Sequence, residues 1–163
     1  MKIKKDKLQE KIEEKSLERA WKIKYYLQGE SIYTPSSKLK NPFYNVIIEV
    51  LERLPDEIFD IVEKNIRFIL ESSPMWTMNF HFKKSCPQTL RIFPRKIEIS
   101  TIILFHSCLE LNRKALIGVI ANEIAHCVLV YYPTRHMLGK TKKDLTKAWG
   151  FAIEIEEMKK AKK

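Results

Sequence analysis

Three observations predict an α+β fold. Apolar residues recur at helical spacing at both ends of the chain, the middle changes to period-two alternation, and residues 115–129 are apolar over nearly their whole circumference. The last run is predicted to be a helix buried through the middle of a domain. With 163 residues, 45% of them apolar and only four glycines, the chain is long enough for one sizeable core. It reads as a single domain, 1–163, with an N-terminal helix and connection over 1–41 and a core over 42–163.

The elements follow in order. Residues 6–28 have the spacing of an amphipathic helix with Leu17, Ala20, Trp21, Lys24 and Tyr25 on the buried stripe, and residues 29–41 connect it to the core, with Tyr33-Thr34-Pro35-Ser36-Ser37 as loop. Pro42 opens a second helix to about Arg53, whose apolar spacing comes from Phe43, Val46, Ile47, Val50 and Leu51. Pro55-Asp56-Glu57 starts a short third one. Segments 66–70, 75–82 and 96–104 have the short apolar or alternating character of strands, separated by Ser72-Ser73-Pro74 and Ser85-Cys86-Pro87. The alternation at Asn79-Phe80-His81-Phe82-Lys83 puts His81 on an exposed face opposite a buried Phe pair. The buried helix spans about 113–132 and is ended by Pro133; a last helix spans about 142–160 after Gly139.

Charge and cysteine usage narrow the function classes. A net charge of +10 suits nonspecific attraction to phosphate. Its excess, however, lies in segments 2–24 and 140–163, mixed with Glu10, Glu13, Glu14, Glu154, Glu156 and Glu157 in the manner of solvated helix faces. No nucleic-acid-binding motif accompanies it, so a basic nucleic-acid-associated protein is the weakest of the readings. Cys86, Cys108 and Cys127 have no Cys-x-x-Cys spacing and their odd number gives no disulfide framework, which fits a reducing cytoplasm. Residues 1–19 are charged throughout, unlike a signal peptide, and no apolar run reaches the length expected of a membrane span. The oligomeric state is not set by any of these features.

The chemistry concentrates at Asn122-Glu123-Ile124-Ala125-His126, inside the apolar run. At about 100° per residue these three polar side chains fall within roughly a 100° arc of one helix face. A buried carboxylate without partners costs several kcal/mol, so a metal, a hydrogen-bond network or a cleft has to satisfy Glu123. One reading is purely structural, with Asn122 and His126 tying down Glu123.

The other reading comes from similarity. The segment resembles the His-Glu-x-x-His signature of zinc proteases, in which two histidines hold Zn²⁺ and the glutamate polarises the metal-bound water. Here the first ligand position holds Asn122, a neutral amide and a much poorer zinc donor. The order of elements is similar to that of the zincins, where a small mixed sheet lies over the signature helix and its edge strand lines the substrate cleft. Segment 96–104 resembles that edge strand. Trp149-Gly150-Phe151, followed by Glu154 and Glu156, resembles the end of minimal zincin-like metallopeptidases of bacteria and archaea. Where those relatives carry a third, acidic ligand, this chain has Lys140-Thr141-Lys142-Lys143-Asp144, leaving Asp144 as the candidate carboxylate in a setting that repels a dication.

What the resemblance implies is a zincin-like α+β domain: a small mixed sheet packed on a central buried signature helix, flanked by N-terminal and C-terminal helices. The first functional expectation is a degenerate metalloprotease, a pseudoenzyme with weakened or lost zinc binding, whose cleft takes a peptide or protein along the edge strand. The alternative is an active metal-dependent peptidase in which His126, Asp144 and His136 hold zinc and Glu123 is the general base. His136 would have to fold back past Pro133. His106, at the end of a strand, and Cys127, turned about 100° from His126 towards the core, are further donors whose structural reading is the plainer one.

Overall fold

The computed structural model describes residues 2–28, 32–33, 37–71, 77–85 and 96–162, with side chains for 6–28, 42–71, 77 and 99–161. Helix α1 (Lys2–Gln28) leads through β1 (Ile32–Tyr33) to α2 (Ser37–Arg53) and α3 (Asp56–Asn65). Strands β2 (Ile66–Glu71), β3 (Thr77–Ser85) and β4 (Lys96–Phe105) follow, then α4 (Arg113–Tyr131), α5 (Lys142–Ala148) and α6 (Ala152–Lys162). This is an α+β architecture with a mixed sheet.

The sheet has the order β1-β2-β4-β3, with β1, β2 and β4 parallel and β3 antiparallel to β4. Alternate residues of β2 are buried, Ile66, Phe68 and Leu70, and the register sets them beside Ser100, Ile102 and Leu104 of β4, which are buried as well. That shared face is covered by helices: α2 and α3 pack on β2, and α4 packs on β3 and β4. A single apolar cluster extends from Ile23 and Tyr26 of α1 through α2, α4 and the sheet to Ile155 and Met158 of α6.

The structure changes several of the expectations. Segment 96–104 is not at the edge. β4 runs between β2 and β3, and among the described residues β3 is the edge strand beside it. The reason is legible in composition: β4 carries isoleucines on both faces, as an interior strand does, whereas β3 carries Lys83 and Lys84, residues that keep an edge from pairing indiscriminately. On α1 the buried positions are Ile23 and Tyr26, while Leu17, Trp21 and Tyr25 are exposed. The helix docks through the opposite stripe because Arg19 and Tyr26 have backbone acceptors to reach: Arg19 Nη1 donates to the carbonyl oxygens of Leu51 (2.9 Å) and Leu54 (3.0 Å), and Tyr26 Oη donates to that of Ile66 (2.7 Å). Arg19 also pairs with Asp56 and stacks over the Phe59 ring.

The connection after α1 contains the short strand β1, and α2 begins at Ser37, so that Pro42 lies inside the helix at the loss of one internal hydrogen bond. The last helix is two helices. α5 stops at Ala148, and Gly150 adopts φ +89°, a left-handed conformation that glycine accepts without strain, before α6 starts at Ala152. Cys86 and the side chain of His81 lie outside the described residues; the register pairs position 81 with the buried Ser100, which places it on the helix-covered face of the sheet and not on the exposed face expected.

Candidate functional site

The site is built on α4. Asn112 caps its first turn, its side chain accepting the Ala115 amide at 2.9 Å, and Pro133 follows its last. From Ala115 to Val128 every residue is buried except Asn122, Glu123 and His126, which are half-buried. The spacing i, i+1, i+4 therefore makes a single polar window in an otherwise sheathed helix.

Packing fixes where that window sits. Gly118, one turn before Asn122, lets α6 lie against α4: a Cβ there would come within 2.2 Å of the Glu154 carbonyl oxygen. At the other end, Ser100 Oγ donates to Tyr132 Oη (3.1 Å), and Tyr132 Oη donates to the Asn65 carbonyl oxygen (3.4 Å), tying the helix terminus to β4 and α3. Between these ties, Thr77 Oγ1 donates to Glu123 Oε1 at 2.9 Å. Thr77 is the first residue of β3, so the carboxylate of the window is joined directly to the start of the edge strand.

Two buried thiols lie within electrostatic reach of this carboxylate. Burial pushes Cys108 up to about 11 and Cys127 up to about 12, and the negative charge of Glu123 adds to both shifts. Both thiols are fully buried and stay protonated at neutral pH, with neither the exposure nor the thiolate character that reactive cysteines have.

The other nominated residues lie elsewhere. His136 is exposed in a short 3-10 turn, Arg135–Met137. Asp144 is exposed at the start of α5, where its Oδ2 accepts the Thr141 amide (2.9 Å) while Thr141 Oγ1 accepts the Asp144 amide (3.1 Å), a reciprocal capping box. Hydrogen bonds from Thr141, with smaller help from Lys140 and Lys143, hold its carboxyl below the usual range. His106 opens the 3-10 turn after β4. Among the described residues, no three His, Cys, Asp or Glu side chains gather where they could hold a metal ion.

Trp149-Gly150-Phe151 forms the turn between α5 and α6, and Arg53 of α2 clamps it. Arg53 Nη2 donates to the Gly150 carbonyl oxygen (2.6 Å), Nη1 donates to Glu154 Oε1 (2.6 Å), and the guanidinium lies 4.3 Å from the Phe151 ring centroid. Glu154 is thereby a structural carboxylate. Sequence reasoning missed Thr77 and Arg53. The first is 46 residues from its partner and the second 101 from its own, and a lone threonine or arginine carries no signal of such pairings.

Contrary to the sequence expectation, one helix, α4, has by length and composition what a membrane-crossing helix needs; in this fold it is the central core helix, buried from Ala115 to Ala121 without a break. The chain was compared with family models, with curated proteins and with solved structures, and none matches.

Proposed function

We propose that this chain is a zincin-like pseudoenzyme, a metallopeptidase scaffold that has lost its metal centre and uses its cleft to hold an extended peptide beside β3. The observation that carries the reading is the Thr77–Glu123 hydrogen bond. It joins the glutamate of the near-signature to the first residue of an edge strand, although that strand is β3 and not the segment 96–104 to which the resemblance gave the role. The half-buried window of Asn122, Glu123 and His126 and the clamped Trp149-Gly150-Phe151 turn support it further.

Among the described residues, the nominated donors do not fit a catalytic zinc, which needs three protein ligands and an open position for water. Asn122 offers a neutral amide. Asp144 is exposed and engaged in capping its own helix, and His136 is exposed in a turn beyond the end of α4. Only His126 remains beside Glu123 on the helix face. No reaction step is therefore assigned to a metal. What the cleft retains is backbone: an edge strand offers alternating N–H and C=O groups to an added strand, with side-chain pockets providing selectivity.

Amide hydrogen exchange of the chain with and without a library of extended peptides tests this. A bound peptide should slow exchange along Thr77–Ser85 and leave α6 unchanged; if no peptide protects β3, or protection falls on the helices instead, the cleft reading is wrong.

A further inference from the structure

The sequence mixes lysines and glutamates over 140–163, but the fold sorts them. Glu154 turns to Arg53, while Glu156 and Glu157 pair with Lys159 (3.6 Å) and Lys160 (3.5 Å) of their own helix. Between residues 135 and 147 this leaves Arg135, Lys140, Lys142, Lys143 and Lys147 with Asp144 as the one carboxylate, and that carboxylate is folded back onto the Thr141 amide. All five cations are exposed, and among the described residues none of them is in an ion pair.

Leu138 stands amid this charge. At 77% it is the most exposed of the large apolar side chains among the described residues, and Arg135, Lys140 and Lys142 all lie within four residues of it. The turn that carries it is tied down. Met137 is buried beside it, the Met137 amide donates to the Thr134 carbonyl oxygen (3.0 Å), and the Lys140 amide donates to that of Met137 (3.0 Å). A Cβ on Gly139 would meet nothing within 4 Å, so the tip stands clear of the body. The fold therefore presents a leucine to solvent inside a ring of unpaired cations.

A surface that is positive around an apolar tip is complementary to one that is negative over an apolar interior. We propose that residues 135–147 form a peripheral membrane-docking surface, which seats Leu138 at the acyl boundary of an anionic phospholipid bilayer while Arg135 and the lysines contact its phosphates. Each contribution alone is small, because one leucine partitions weakly and a basic cluster is screened by salt; reversible docking takes both together. A nucleic acid matches the charge but leaves Leu138 in water, and base stacking needs an exposed ring. The tyrosines that precede the turn, Tyr131 and Tyr132, are half-buried, and the Tyr132 hydroxyl is engaged with Ser100 and Asn65. The docking makes no use of the β3 cleft.

Sedimentation with sucrose-loaded vesicles tests the proposal. The chain should sediment with vesicles of about one third phosphatidylglycerol in phosphatidylcholine and stay in solution with phosphatidylcholine alone, and raising the salt from about 0.1 M to about 0.5 M should release it. Leu138→Ser should lower the partition coefficient about tenfold, and Arg135→Gln/Lys140→Gln/Lys142→Gln should lower it by at least about tenfold. All of these positions are exposed, so circular dichroism should be unchanged. Lys7→Gln/Lys11→Gln/Lys15→Gln, which removes as much charge from the exposed surface of α1, should leave the partition coefficient within about twofold. No binding to the anionic vesicles, binding indifferent to Leu138→Ser, or an equal loss in the α1 triple variant would each overturn the proposal. Displacement from the vesicles by poly(U), with affinity for poly(U) unchanged in Leu138→Ser, would assign the surface to nucleic acid instead.

Discussion

Thr77 and Glu123 are joined by a 2.9 Å hydrogen bond from the Thr77 hydroxyl to Oε1 of the carboxylate, linking the first residue of the edge strand to the polar window of the central helix. The carboxylate is half-buried, so losing this donor exposes it to a poorly solvated setting. Thr77→Val should destabilise the fold by about 1–2 kcal/mol, whereas Thr77→Ser, which keeps the hydroxyl, should cost less. Urea unfolding of the two variants checks the order. Amide exchange at the start of β3 should also speed up in the valine variant and not in the serine one.

At Gly118, α4 and the backbone of α6 lie in close contact. A Cβ at that position meets the Glu154 carbonyl oxygen at 2.2 Å, a backbone atom that cannot turn aside, so Gly118→Ala should cost at least about 2 kcal/mol by forcing the helices apart. Gly139→Ala is the contrast. Nothing lies within 4 Å, but φ is +74°, and the backbone term alone should cost about 1 kcal/mol. Thermal unfolding of both variants would rank them.

Arg53 holds the α5–α6 turn. Arg53→Met keeps the hydrophobic stem but removes both hydrogen bonds and leaves the half-buried Glu154 without its partner cation, for a loss of about 2 kcal/mol, the partly exposed guanidinium limiting the effect. The pH dependence carries a second signature. Burial pushes the Glu154 carboxyl up, but the hydrogen bond and charge of Arg53, with Lys114 adding, hold it below the usual glutamate range. A carboxyl lowered in the folded state stabilises the fold above its ordinary pKa, and that contribution disappears as pH falls through the lowered value. The stability of Arg53→Met should therefore decline less steeply in acid than that of the parent chain.

The alkaline limb belongs to the two thiols. Cys108 and Cys127 keep their protons in the fold to about 11 and about 12, against 9.0 for an ordinary thiol. Above pH 9 the unfolded chain releases protons that the folded one retains, so stability falls with rising pH until the folded values are reached, by up to about 1.4 kcal/mol per pH unit for each thiol. Cys108→Ala and Cys127→Ala should each flatten that decline in a pH series of denaturant midpoints, whatever they cost in packing at neutral pH.

How much could be read from the sequence depended on the range of the interactions. The buried helix was legible nearly to the residue, because its apolar run, its Asn112 cap and Pro133 are all local, and so was the polar window at Asn122, Glu123 and His126. The strands were legible by alternation, but not their order. Which of β3 and β4 takes the edge is decided by pairing across the sheet, although Lys83 and Lys84 were a hint that could have been used. On α1, two apolar stripes compete, and the one with the larger aromatic content attracted the assignment; Arg19 and Tyr26, through hydrogen bonds to residues 32 to 40 positions away, determine the other. The acidity of Asp144 suggests a ligand, whereas Thr141 three residues earlier marks the same carboxylate as half of a capping box, a local pattern that the sequence also contains.

The claim that the scaffold has outlived its metal centre is tested most directly by zinc content, measured by inductively coupled plasma mass spectrometry on protein purified without chelator and without a metal-affinity tag. Asn122→His, which restores an imidazole pair one turn apart on α4, is the internal control and should raise the zinc retained. For the parent chain the account predicts well below one zinc per chain, with no change in His126→Ala. One zinc per chain, lost in His126→Ala, would contradict it and return Glu123 to the role of general base.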